Sequence, residues 1–162
     1  MKADMDTKNQ IVIQRSYAAA LEDVWDLWTT KDGIESWWGP EGFRVEVRKL
    51  DLRPGGELSY AMIAEAPEMV AFMKQAKMPV VQECRLRYTE ILPQRRLAYL
   101  HQADFIPGVE PYDVTHLVEL AAAGDRVVLT LTFDRMHDDT WTQRAAQGWE
   151  QELGKLGKVL SK

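Results

Sequence analysis

Few side chains in this sequence can do covalent or metal chemistry, and their spacing excludes most of what they could do. His101, His116 and His137 are the three histidines, and no pair has the short separation of a zinc site. Cys84 is the single cysteine, so neither an internal disulfide nor a Cys-x-x-Cys motif exists. Ser16, Ser36, Ser59 and Ser161 occur in no Gly-x-Ser-x-Gly context. Pro54-Gly55-Gly56 has the chemistry of a tight turn, not of a phosphate cradle. No catalytic nucleophile and no metal ligand is assigned, and no cofactor is expected.

Acid–base work inside an apolar cavity stays open, because a carboxyl or imidazole taken out of water can have its pKa moved to suit proton transfer near neutrality. The polar strand residues that could point inward are Glu83, Arg85, Arg87, His101 and His116. Period-two alternation puts Glu83, Arg85 and Arg87 on one face and Cys84, Leu86 and Tyr88 on the other, and apolarity makes the second face the inner one. His101 alternates in phase with Leu97 and Tyr99, and His116 with Val114 and Val118. Tyr60, Tyr99, His101 and His116 are therefore expected to supply the few polar tips of an otherwise greasy pocket, against the plainer reading that they are ordinary core residues.

Aromatic residues are the other chemical resource. Four of the six tryptophans, Trp25, Trp28, Trp37 and Trp38, fall within fourteen residues. Indoles at a cavity mouth offer broad flat surfaces and one donor each. Adjacent side chains on a short helical turn are not expected both to face inward, which leaves Trp37 and Trp38 divided between packing and ligand contact.

The elements that must position these groups follow from hydrophobic period. Ile11, Ile13 and Arg15 alternate as a first strand, after which Leu21, Val24, Trp25 and Trp28 take helical spacing. Gly33 is read as the end of that helix, and a second helical turn spans Ile34–Trp38 before Gly39-Pro40. Phe43, Val45 and Val47 pair as a hairpin with Leu58, Tyr60 and Met62. Between Pro67 and Pro79, Met69, Phe72, Met73 and Ala76 recur at helical intervals, so an amphipathic helix is expected near 67–78. With Met78 its methionines form an adaptable sulfur-rich face. That segment reads as a lid over the cavity, as part of a homodimer interface, or as a packed excursion. Strands resume at Val80–Ile91, Leu97–Asp104, Val114–Leu120 and Arg126–Asp134. A long helix follows, capped by Asp138 or Asp139, with Trp141, Ala145, Trp149, Leu153, Leu156 and Leu160 on one stripe.

Composition bounds the rest. The chain has 162 residues, 46% of them hydrophobic, with 20 Lys+Arg against 25 Asp+Glu and a net charge of -5. An acidic chain without a basic cluster argues against nucleic acid as a partner. Absent a long apolar run, no membrane insertion is expected, and a reducing cytoplasm is the default compartment. One domain over 10–162 with a flexible terminus over 1–9 fits this length.

The order of elements and several local sequences resemble the START-like, birch-pollen-allergen-like superfamily, often labelled SRPBCC, and within it the branch named after the activator of heat-shock protein 90 ATPase. The residues that carry the likeness are Ala20-Leu21-Glu22-Asp23-Val24-Trp25, Glu35-Ser36-Trp37-Trp38-Gly39-Pro40, Asp51-Leu52-Arg53-Pro54-Gly55-Gly56, Glu90-Ile91-Leu92-Pro93-Gln94-Arg95-Arg96-Leu97, and Gly148-Trp149 with Leu153, Leu156 and Leu160. The resemblance implies an α+β helix-grip fold: a curved antiparallel sheet of six to seven strands wrapped around a long C-terminal helix, with two short helices after the first strand. It implies a scaffold more than an activity, since superfamily members bind lipids, sterols, polyketides or plant hormones, and some are cyclases or dehydratases. The eukaryotic co-chaperone joins such a domain to a second one, for which this length leaves no room.

The expected function is the binding of a small hydrophobic or lipid-like molecule between sheet and terminal helix. The alternatives are a cyclase or dehydratase-type enzyme using pocket acid–base groups, and a chaperone-interacting or other protein-interaction module. Expected cavity residues are Trp28, Trp37, Trp38 and Phe43 from the first half of the chain, with Tyr60 and Met62 from the hairpin. Met69, Phe72 and Met73 join them from the inserted helix, and Tyr99, His101, His116 and Trp141 from the later elements.

Overall fold

A computed structural model describes residues 9–104 and 106–162. The expected flexible N-terminus lies outside the described residues except for Asn9, whose carbonyl accepts the Arg135 N–H at 3.0 Å.

Seven strands form one antiparallel sheet: β1 (Gln10–Tyr17), β2 (Phe43–Leu50), β3 (Glu57–Ala64), β4 (Val81–Leu92), β5 (Arg96–Ala103), β6 (Tyr112–Ala123) and β7 (Arg126–Asp134). Their order is β1-β7-β6-β5-β4-β3-β2, so β1 and β2, neighbours in sequence, are the two edges. Two short helices bridge them, α1 (Leu21–Thr29) and α2 (Lys31–Trp37). The inserted helix α3 (Pro67–Gln75) joins β3 to β4, and α4 (Asp139–Leu160) ends the fold.

Alternation decides which face of the sheet is inner. Gln82, Cys84, Leu86 and Tyr88 of β4 are buried while Val81, Glu83, Arg85 and Arg87 are exposed. Val127, Leu129, Leu131 and Phe133 do the same on β7. Register shifts between Val47 and Lys49 and between Tyr88 and Glu90 add local twist, which helps curl the sheet.

The α4 helix lies in the concavity with Trp149, Leu153 and Leu156 buried. It is tied to the β1 edge by the Tyr17 hydroxyl, which donates to Leu153 O at 2.9 Å out of reach of water. Its N-cap is Asp138, whose carboxylate accepts the Trp141 N–H at 2.8 Å.

One boundary differs from the sequence reading. Gly33 does not end the first helix; the break comes at Thr30, and Gly33 lies inside α2. Thr30 ends one helix and begins the next: its hydroxyl donates to Asp26 O at 2.8 Å and accepts the Gly33 N–H at 3.0 Å. Glycine is required for close approach, because a Cβ there would stand 2.4 Å from Asp26 O and 2.8 Å from Leu27 Cα. Gly33→Ala should therefore destabilise the protein by about 1–3 kcal/mol. Gly154→Ala, where a Cβ meets nothing within 4 Å, should stabilise it by roughly 0.5–1 kcal/mol. Urea midpoints of the two variants test this, and a Gly33→Ala protein as stable as its parent would contradict so tight a helix junction.

Candidate functional site

Between the sheet and the first half of α4 is a cavity of about 340 Å³, within the size range of small-molecule sites. Its position follows from the shape of α4. Leu153 and Leu156 pack down onto the sheet, whereas Trp141, Ala145 and Gly148 on the preceding turns roof open space.

Of the expected residues, Trp38, Phe43, Tyr60, Met62, Phe72, Met73, His101, His116 and Trp141 line this cavity. Phe72 is 53% exposed and stands at the rim. Four others do not line it. Trp28 and Trp37 are only 1% and 0% exposed, packed edge to ring at 4.7 Å behind Trp38 and Trp149. Trp37 is also held by its indole N–H, which donates to Leu27 O at 2.7 Å. Met69 covers Gly42, where a Cβ would come within 3.2 Å of it. Tyr99 is on the inner face, but its ring lies flat on His116 at 5.0 Å and edge-on to Tyr88, so it forms a backing layer.

Trp37 and Trp38 also correct the expectation that neighbours on a helical turn cannot both face inward. Trp38 is the C-cap of α2, with φ -66 and ψ 153. The switch to extended backbone at that residue swings its side chain away from helical spacing, and both indoles are buried.

Several lining residues were not anticipated: Gln82, Cys84, Phe133, Arg144, Trp149 and Glu152 among them. Glu152 is the most consequential. Its carboxylate accepts the Gly39 N–H at 2.8 Å. On either side of it along α4, Gln151 accepts the Glu41 N–H at 3.1 Å, and Lys155 donates to Gly39 O at 2.8 Å. Three side chains of one helix thus hold the backbone that follows Trp38. Glu152 was legible in principle, since it sits three residues after Trp149 on the flank of the apolar stripe, where a solvated carboxylate has no reason to be.

Burial sets the protonation of the site. It pushes the Glu152 carboxyl up to about 7, against the opposing effects of the Gly39 N–H and the Lys155 charge. Burial likewise lowers His101 to about 4 and His116 to about 3, the latter helped by the neighbouring His101. Both imidazoles are neutral near pH 7. His116 Nδ1 lies 3.0 Å from Val114 O, and a carbonyl only accepts, so Nδ1 carries the proton and Nε2 a lone pair. The Tyr60 hydroxyl is 2.7 Å from His101 Nε2. Burial also raises the Cys84 thiol to about 12, which leaves it a small protonated wall residue.

Among the described residues no group of three or more His, Cys, Asp and Glu side chains is arranged to hold a metal ion. No described helix is long and apolar enough to cross a membrane.

A curved antiparallel sheet closed over a cavity by its C-terminal helix defines the helix-grip class. Residues 18–161 match the family model described as Activator of Hsp90 ATPase homolog 1-like protein, and the chain belongs to that family. Among solved structures, one from Chromobacterium violaceum is 24% identical, covering 96% of this chain and 99% of that one, with a TM-score of 0.77. The AHSA1 protein of Silicibacter pomeroyi is 19% identical, with 94% and 97% of the chains covered and a TM-score of 0.74. CalU16 from Micromonospora echinospora is 21% identical, with 94% and 76% covered and a TM-score of 0.64. At these identities the likeness establishes the fold. A search of curated proteins finds no significant match.

The buried groups give stability a specific pH dependence. Glu152 has a folded pKa above its ordinary 4.5, so its contribution is full below about 4.5 and is lost as pH rises through about 7. The two histidines have folded pKa values below 6.5, so theirs is present above 6.5 and lost as pH falls through about 4 and 3. Glu152→Gln should be more stable than the parent at pH 8 and should lose stability more steeply between pH 6.5 and 4.5. Urea denaturation across that range checks it; parallel profiles for the two proteins would show that Glu152 is not desolvated.

Proposed function

We propose that the protein binds a small, mostly apolar molecule in the cavity between the sheet and α4. The observation that carries this reading is a half-open, mostly apolar cavity of about 340 Å³ between the sheet and α4, beside a core closely packed with aromatic side chains. A concave, mostly apolar site with a few polar groups is the usual form of a small-molecule pocket. Trp38, Phe43 and Trp149 supply rigid surface. Met62, Met73 and Met78 supply a wall that adapts to varied shapes.

A second reading, acid–base catalysis on a bound molecule, has one observation on its side. Glu152, held near pH 7 in its protonation, shares the cavity with the hydrogen-bonded Tyr60 and His101 pair. Interaction with a chaperone rests on the family description alone.

Gly148 offers a direct test of the first reading. It lines the cavity, and a Cβ placed on it meets nothing within 4 Å. Gly148→Leu should fill part of the void and remove a helix-interior glycine, raising stability by about 0.5–1 kcal/mol or leaving it unchanged. At the same time it should abolish any small molecule seen by native mass spectrometry to travel with the parent protein from cells. It should also weaken binding of added naphthalene derivatives by about tenfold or more. Unchanged ligand binding in a folded Gly148→Leu protein would place the ligand elsewhere.

A further inference from the structure

The cavity is greasy but not neutral in its demands. Glu152, the one acidic side chain among the described lining residues, accepts a single hydrogen bond there, from Gly39, although a carboxylate offers about four lone-pair sites. Among the described residues no Lys, Arg or His nitrogen lies within ion-pair distance of it. The nearest cation on its own helix, Lys155, spends its Nζ on the carbonyls of Gly39 and Phe43. Arg144 lies over the Trp141 ring, 4.9 Å from its centroid, and is exposed at the rim. Across the cavity, Tyr60 and Cys84 keep their protons and His101 and His116 stay uncharged near neutral pH. The Lys155 charge acts on the carboxylate from beside the cavity, and among the described lining residues none forms an ion pair with it.

The surroundings of that carboxyl are rings. Trp149 is one turn before it on α4, and its partner Gly39 follows Trp38. The two indoles meet edge to face at 6.3 Å, and Phe43 and Tyr60 stand on the same cavity wall. Electron-rich rings beside a carboxylate with acceptor positions to spare complement a cation that carries N–H donors. His116 Nε2 adds a further acceptor, while Gln82 Nε2 and the Trp38 indole N–H are buried donors without a partner among the described residues that line the cavity.

We propose that the cavity selects ligands that pair an apolar body with a protonated amine, the ammonium seated on Glu152 beside the edge-to-face pair of Trp38 and Trp149. This rests on the cavity being a small-molecule site and names the class of molecule it takes. Burial holds the Glu152 carboxyl at about 7, so an incoming ammonium ionises it at little cost near neutral pH.

Four probes of nearly equal shape separate the possibilities: 1-naphthylmethylamine, 1-naphthalenemethanol, 1-ethylnaphthalene and 1-naphthylacetate, titrated calorimetrically at about pH 8. The amine should bind the parent protein about tenfold or more tightly than 1-ethylnaphthalene, with the acetate weakest. Glu152→Gln should erase the preference for the amine while still binding 1-ethylnaphthalene, which shows the cavity intact. Amine affinity should rise between pH 6 and 8 in the parent and stay level in Glu152→Gln. Equal binding of amine and ethyl probes overturns the proposal but leaves the cavity as a small-molecule site. Tightest binding of the alcohol or the acetate also overturns it, the latter in favour of Gln82 and Arg144. Failure of all four probes to bind overturns both readings.

Discussion

Trp149 is the interaction on which the rest of this structure depends. Its indole stacks on Trp28 at 5.8 Å and 22°, meets Trp37 and Trp38 at 6.5 and 6.3 Å, and reaches His116 on the sheet at 5.8 Å. One side chain therefore joins α4, both short helices and the concave face of the sheet. Large aromatic residues bury more surface than any other type and pack with directional preference, so such a junction constrains angle as well as distance. Downstream of it, Leu153 and Leu156 are buried in the core; upstream, Trp141, Ala145 and Gly148 line the cavity that lies beneath that half of the helix.

Polar side chains then decide how rigidly the cavity mouth is held. Gln151, Glu152 and Lys155 grip backbone groups from Gly39 to Phe43, and Glu35 accepts the Val47 N–H at 2.8 Å, pinning α2 to the edge strand. These bonds fix the segment that presents Trp38 and Phe43 to the cavity. Glu152 does two things at once: it fastens that segment and, alone among the described lining residues, brings an acidic group to the cavity wall. Fastening uses one acceptor position, and the rest of the carboxylate has no other hydrogen-bond partner among the described residues.

Much of the fold was legible because its signals are local. The alternation of Gln82 to Tyr88, the turn at Pro54-Gly55-Gly56 and the stripe from Trp141 to Leu160 each identify an element without reference to any other. The helix boundary at Thr30 was less so. Gly33 carries the ordinary composition of a helix stop, but its presence answers to the backbone of α1 pressing against it, a contact between two elements. The site was legible in part for the same reason. His101 and His116 belong to the inner face by period alone, whereas Glu152 hides in a stripe judged by its apolar members.

What the sequence by itself determined is which face of each strand and helix turns inward, since side-chain period is a property of the local backbone. Only the tertiary structure decided how deep each inward residue sits. Tyr99 and His116 share a face, are directly paired and are stacked, yet only His116 lines the cavity. Trp37 and Trp38 are adjacent, yet one backs the wall and the other forms it. Depth depends on sheet curvature and on the height at which α4 crosses it. Both are set by contacts between residues more than a hundred positions apart, such as Tyr17 with Leu153 and Gly39 with Glu152.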